Sequence, residues 1–259
     1  MMEPDLLSLQ RTLYESRNPT RRWLHCIRRD WITRAMRRFV PKGERALEVG
    51  PGSGIYIPIL KELCAEVHLA DCERTYLKAI ELRYGADPCI KIIVDDITRS
   101  QLPDHSFDLV LCTEVVEHIA DSAAALRHLA RIMKPDGILV LSTPQRHSSL
   151  EMIARLALSP GLIWLTRLLY REPVLEMGHI NLMTESTLQA QIKAANLHII
   201  ERYKGGLYLP GIAELLGSAG QRLAAGLERR IRGTPYDGVL WTQYYVLGHR
   251  PGEPAVSRY

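Results

Sequence analysis

The sequence predicts an α/β protein built on one mostly parallel sheet with helices on both faces, and three observations predict it. The run Ala46-Leu47-Glu48-Val49 reads as a buried strand feeding straight into a glycine-rich turn, Gly50-Pro51-Gly52-Ser53-Gly54. A second apolar run, Val67-His68-Leu69-Ala70, ends on an acidic residue, Asp71. Further on, Phe107-Asp108-Leu109-Val110-Leu111-Cys112 is apolar almost throughout, as in strands that helices cover on both faces.

The turn after the first strand carries the most chemistry. Gly50, Gly52 and Gly54 let backbone amides approach a ligand that any Cβ would hold off. A dinucleotide turn needs a third glycine three residues after the second, where this chain has Ile55, and no phosphate-binding lysine follows. Neither NAD nor ATP fits. Glu48, just before the turn, suits a cationic ligand and would repel a pyrophosphate. Asp71, at the end of the second strand, can accept both hydroxyls of an adenosine ribose.

This pattern resembles motif I of the class I S-adenosylmethionine-dependent methyltransferases, and the order of later segments keeps the resemblance over roughly residues 40 to 250. Within that family it looks nearest to the ubiquinone-biosynthetic type. The resemblance implies a Rossmann-like class I methyltransferase fold: seven strands, mostly parallel, with an antiparallel last strand. It further implies a helical N-terminal cap over residues 1–40, a methyltransferase domain over 41–259, and a helical lid inserted at 148–178 after strand five. Direct displacement at the methyl, driven mainly by positioning, is the expected chemistry.

The remaining elements follow in order. Lys91-Ile92-Ile93-Val94-Asp95-Asp96-Ile97 is the third strand with the acidic loop that meets adenine in the family, so Asp96 and Ile97 are expected contacts. Cys112, Thr113 and Glu114, where the fourth strand ends, fall beside the cofactor's methyl. A helix from Ser122 to Met133 precedes the turn Lys134-Pro135-Asp136-Gly137 and a fifth strand, Ile138 to Pro144. The stretches from Leu197 to Arg202 and from Leu240 to Leu247 have the alternation and the β-branched or aromatic content of a closing strand pair. Glu48, Gly50, Pro51, Gly52, Ser53, Gly54 and Asp71 complete the expected cofactor contacts.

The N-terminal segment concentrates charge. Arg17, Arg21, Arg22, Arg28, Arg29, Arg34, Arg37 and Arg38 share it with Trp23, Ile27, Trp31, Ala35 and Met36 at helical spacing. This predicts an amphipathic basic helix, either a packed cap with a solvated arginine face or a surface for a partner. In the family an arginine from this element reaches the cofactor's carboxylate. Arg28 or Arg29 is the candidate, and Arg21 competes because Asn18-Pro19-Thr20-Arg21 resembles the entry of this helix in ubiquinone-type enzymes.

Two further groups bear on the acceptor. Glu114, Glu117 and His118 would share one face of a helix begun after strand four, where they either bind a divalent metal, as the resemblance to ubiquinone-type enzymes implies, or only pack or touch the cofactor. His179 and His118 are the candidate bases for a hydroxyl acceptor; as a packing alternative, His179 is a surface residue of a helix-entry loop. Ubiquinone-type enzymes carry a glycine, histidine and aspartate string there, whereas this chain has Ile180 and Asn181 where the aspartate is expected. The apolar stretches at Leu150 to Leu158 and Leu162 to Tyr170 are broken by Arg155, Arg167 and Ser159-Pro160-Gly161, too short to span a bilayer. They are read as a lid over an apolar acceptor, a peripheral membrane contact together with the basic N-terminal helix, or a packing or dimer surface.

Composition sets outer limits. With 259 residues, 46% of them hydrophobic, and a net charge of +4, the chain can bury one large core. Cys26, Cys64, Cys72, Cys89 and Cys112 show no zinc spacing and no signal peptide precedes them, which predicts a reducing cytoplasmic setting, with peripheral contact at the inner membrane face as the variant. The expected function is an O-methyltransferase acting on a hydrophobic small molecule such as a quinone precursor, polyketide or lipid-linked sugar, as monomer or homodimer. C- or N-methylation of a similar acceptor and a non-catalytic binding module stand as alternatives. Nucleic acid is not expected as a partner, because Cys112-Thr113-Glu114-Val115 stands where amino-group DNA methyltransferases carry an Asn/Asp-Pro-Pro-aromatic string.

Overall fold

The computed structural model describes residues 14–16, 18–40, 43–157 and 179–250. Helix α1 (Pro19–Phe39) begins where the sequence signals it: Asn18 Oδ1 accepts from the Arg21 amide at 2.9 Å, and Pro19 occupies the first turn. Next come β1 (Gly43–Val49), α2 (Ile57–Leu63), β2 (Cys64–Asp71), α3 (Arg74–Tyr84), β3 (Ile90–Val94) and β4 (Phe107–Thr113). Helix α4 (Ser122–Ile132), capped by Asp121 onto the Ala124 amide at 2.8 Å, leads to β5 (Met133–Pro144) and α5 (Ser149–Ala157). The chain closes with α6 (Glu185–Ala194), β6 (Leu197–Gly205), α7 (Ile212–Ile231) and β7 (Thr242–His249).

The seven strands form one sheet in the order β3-β2-β1-β4-β5-β7-β6, parallel except for β7, which runs antiparallel to both β5 and β6. Strand order reverses between β1 and β4, and ligands of such sheets bind outside the carboxyl ends of the strands at that point. Alternation along β1 assigns its side chains to two layers. Leu47 and Val49 join Val110, Leu139, Leu126, Leu129 and Leu188 on one face; Ala46 joins Leu109, Val140, Ile32, Met36, Ile57 and Leu60 on the other. Glu48 has the parity of Ala46, which puts its carboxyl on the α1 side.

Three local expectations change. The turn Lys134-Pro135-Asp136-Gly137 lies inside β5 as an irregularity: Phe107 pairs with Met133 and Leu109 with Ile138, so the excursion is absorbed as a bulge. Helix α7 has no counterpart in the sequence reading. The segment after β4 is not the expected α-helix; Glu114 has φ +56° and Val116–His118 forms one 3₁₀ turn. Of the insertion at 148–178, α5 is described, whereas the stretch from Leu162 to Tyr170 lies outside the described residues. No described helix is long and apolar enough to cross a membrane.

Candidate active site

The turn Gly50–Gly54 crosses from β1 to α2 at the switch point. Gly50 has φ +65°, and a Cβ there would stand 2.6 Å from Val115 Cγ2, so no side chain fits. Its amide donates to the Ala70 carbonyl at 2.8 Å, which ties the turn to the end of β2, where half-buried Asp71 stands. Asp71 Oδ1 accepts from the Glu73 amide at 2.9 Å. Asp96 is turned to its own loop, with Oδ1 on the Thr98 amide at 3.0 Å and Oδ2 on Arg99 at 3.0 Å; Ile97 is buried beside it. Cys112 is enclosed in the core, while Thr113 is half-exposed at the strand end. Pro51 is buried; Gly52 and Ser53 are half-buried along the turn.

Buried polar groups gather on the α1 side. Glu48 is 2% exposed, its Oε2 has no hydrogen-bond partner, and burial pushes its carboxyl up to about 8. Arg28 is buried, forms an ion pair with Glu114, and lies over the Trp241 ring at 5.1 Å. One of its nitrogens lies 2.8 Å from His25 Nδ1, which must accept because a guanidinium only donates. Burial, and then Arg28 itself, hold His25 well below the ordinary imidazole range, so it stays neutral and keeps that acceptor. The Tyr56 hydroxyl is buried without a hydrogen-bond partner in the same field of Arg28 and Glu48. Arg29 is bound to Asp30 on the surface and Arg21 is exposed, so Arg28 is the arginine of this helix that the fold brings inward.

Sequence reasoning missed Tyr56 and His25. Tyr56 follows the glycine turn by two residues and His25 precedes Arg28 by three; only the second spacing carries a helical signal.

A second cluster stands past β4. Thr143 Oγ1 donates to Glu117 Oε2 at 3.0 Å, and Ser142 Oγ to Glu114 Oε1 at 2.9 Å, so adjacent β5 residues separate the two glutamates. Burial, then Glu114, push the Glu117 carboxyl well above the usual range. Glu114 is committed to Arg28 and Ser142 and does not join Glu117 and His118 as a third ligand. His179 does. One ligand atom each from Glu117, His118 and His179 lie within 4.8 Å of one another. The 179–181 loop reaches there because the amides of Ile180 and Asn181 both donate to the Glu117 carbonyl at 3.0 Å, and Asn181 Nδ2 donates to the Ile119 carbonyl at 2.9 Å. The asparagine that departs from the family string is the staple. The imidazoles of His118 and His179 stand 5.2 Å apart, and His179 Nδ1 comes within 3.3 Å of the buried Glu151 Oε1 on α5. Beside Arg28, Leu24, Tyr208 and Trp241 form an apolar cluster with Trp23, Leu150 and Ile153.

A family model described as a methyltransferase domain matches residues 20–202. The chain is 30% identical over 192 residues to the ubiquinone biosynthesis O-methyltransferase of Xanthomonas oryzae, covering 72% of this chain and 74% of that protein. It is 25% identical over 199 residues to a probable S-adenosylmethionine-dependent methyltransferase of Mycolicibacterium smegmatis, covering 76% and 69%. In fold it resembles an S-adenosylmethionine-dependent methyltransferase from Mesorhizobium loti, with a TM-score of 0.56 at 18% identity over 83% of this chain and 95% of that one.

Proposed function

The chain belongs to the S-adenosylmethionine-dependent methyltransferases, and from that membership we propose that it methylates a hydroxyl of an apolar small molecule. One observation carries the hydroxyl: His179, backed by the buried Glu151 at 3.3 Å, stands with His118 at the carboxyl end of β4. A nearby imidazole base is what a hydroxyl acceptor requires and an already nucleophilic acceptor does not, and the Glu151 carboxyl beside His179 lies within ion-pair reach of it without a hydrogen bond. The cluster around Leu24, Tyr208 and Trp241 supports an apolar acceptor.

The residues fit the cofactor. When bound, S-adenosylmethionine supplies a methyl on a cationic sulfonium. Glu48 and Tyr56 offer unpartnered buried oxygens toward its ammonium, Arg28 offers charge toward its carboxylate, and Asp71 accepts the ribose hydroxyls. Asp71→Ala is expected to weaken both the cofactor and its demethylated product by about 1–3 kcal/mol through lost hydrogen bonds. Calorimetry with NAD alongside checks it, and unchanged affinity removes Asp71 from the site.

Glu48 adds a pH signature. Its ordinary value is 4.5 and the fold raises it to about 8, so the folded chain holds a proton that the unfolded chain has lost. Its contribution to stability therefore falls as pH rises from 4.5 to about 8. A cation beside it restores ionisation, so cofactor binding at neutral pH releases up to about one proton. Calorimetry in buffers of different ionisation enthalpy reads that proton, and Glu48→Gln abolishes it.

The cluster of Glu117, His118 and His179 also fits a divalent cation, because three mixed ligands leave coordination positions open and Glu117 Oε1 has no hydrogen-bond partner. An ion there would lower the acceptor hydroxyl's pKa. Chelation separates the two: activity lost to chelator and restored by magnesium or zinc marks the ion, and activity indifferent to chelator marks the histidine base. The acceptor itself is found by transfer of labelled methyl across cell extracts with mass spectrometry of the product. Label on carbon or nitrogen overturns the hydroxyl assignment.

A further inference from the structure

Helix α7 exposes apolar residues that the methyl-transfer site does not use. Leu215 is 84% exposed, Leu216 55% and Leu223 50%, whereas Ala213, Ala224 and Glu228 face inward. Gly217 breaks the helix at φ +54°, ψ −131°, and both leucines before the break are exposed. Single exposed leucines are ordinary on protein surfaces, but three within nine residues on the two sides of the break, with exposed arginines beyond them, are not an ordinary solvated face.

The cations come from two helices. Arg222, Arg229 and Arg230 are exposed on α7 with no acidic partner among the described residues. Of the two acids of this helix, Glu214 and Glu228, the second is buried and occupied by the amides of Gly206 at 3.0 Å and Leu207 at 3.2 Å and by Arg232. Gln221 Nε2 donates to the Pro19 carbonyl at 3.1 Å, which brings the first turn of α1 alongside. That turn adds Arg21 and Arg22, both exposed.

We propose that α7, with the first turn of α1, is a peripheral membrane face that seats Leu215, Leu216 and Leu223 in the interfacial layer of an anionic phospholipid bilayer, with the arginines at headgroup level. Exposed apolar residues with arginines nearby are the make-up of an interfacial segment, and juxtaposed arginines select anionic lipid. A second copy of the chain is a poorer occupant, because a two-fold contact would set Arg222 and its neighbours against their own images. The proposal does not depend on which acceptor is methylated.

Flotation of the full chain with phosphatidylcholine vesicles, with and without phosphatidylglycerol, tests it on the unmodified protein. Binding is expected with the anionic vesicles only, and is expected to weaken steeply as salt shortens the reach of charge. Arg222→Glu/Arg229→Glu/Arg230→Glu is expected to reduce binding on the order of a hundredfold. Leu215→Asp/Leu216→Asp/Leu223→Asp is expected to reduce it at least about tenfold, from the apolar surface no longer buried. Both variants should titrate S-adenosylmethionine like the parent, which verifies their fold. Absence of binding to anionic vesicles, equal binding to neutral ones, or binding retained by both variants overturns the proposal. So does a leucine variant that turns a dimer into a monomer while vesicle binding persists.

Discussion

Replacing His179 by glutamine is expected to reduce turnover by about 10²- to 10⁴-fold while leaving cofactor affinity unchanged. Glutamine keeps a polar side chain of similar reach but cannot take a proton. The loss should fall on kcat more than on KM. Glu151→Gln should reproduce a milder form of the same loss, because it removes the carboxyl that stands 3.3 Å from the ring. His118→Gln is the paired experiment. If it carries the whole loss and His179→Gln none, the roles are exchanged, since the two rings stand 5.2 Å apart. If neither matters, catalysis is positioning alone and the acceptor arrives already nucleophilic.

Arg28→Met is expected to cost about 3 kcal/mol of stability, near the low end for breaking a buried ion pair, because Glu114 keeps some exposure. The cost lies in the carboxylate left behind. Adding Glu114→Gln should restore most of that stability, so the double-mutant cycle assigns the coupling to the pair. It is not expected to restore cofactor binding, because the proposed site uses the positive charge of Arg28. Urea unfolding and calorimetry on the four proteins read the two effects separately. A stability loss that Glu114→Gln leaves untouched would show that Arg28 acts instead through its contacts with His25 and Trp241.

What the sequence made legible is what short-range chemistry encodes. The glycine turn, the acid at the end of β2, the Asn18-Pro19 helix entry and the apolar strands each carry their signal within a few residues, and the sheet is the one they imply. What stayed hidden depends on long-range contact or on local chemistry that contradicts the fold. Helix α7 contains Gly217, Gly220 and Gly226 and exposes leucines, so neither propensity nor periodicity marks it. The Lys134-Pro135-Asp136-Gly137 turn is real chemistry overruled by pairing on either side. The helical spacing of Glu114, Glu117 and His118 misled because Ser142 holds the Glu114 amide and carboxyl, at 2.9 Å each, while the backbone takes a positive φ. The histidine that belongs to the cluster lies sixty-odd residues further on and reaches it through Asn181, a link no spacing rule contains.

The contact between Glu151 and His179 has a wider meaning for how such a chain diversifies. Glu151 stands near the start of the insertion, on α5, and His179 just past its end, on the loop stapled to Glu117. They act as gateposts. With the ends of the segment pinned close together, lengthening or replacing the chain between them changes the closure entropy by only about 0.6 kcal/mol for each doubling of length. The strands that carry the glycine turn and Asp71 take no part in that exchange. Changes of length or sequence between the gateposts therefore cost the glycine turn and Asp71 little.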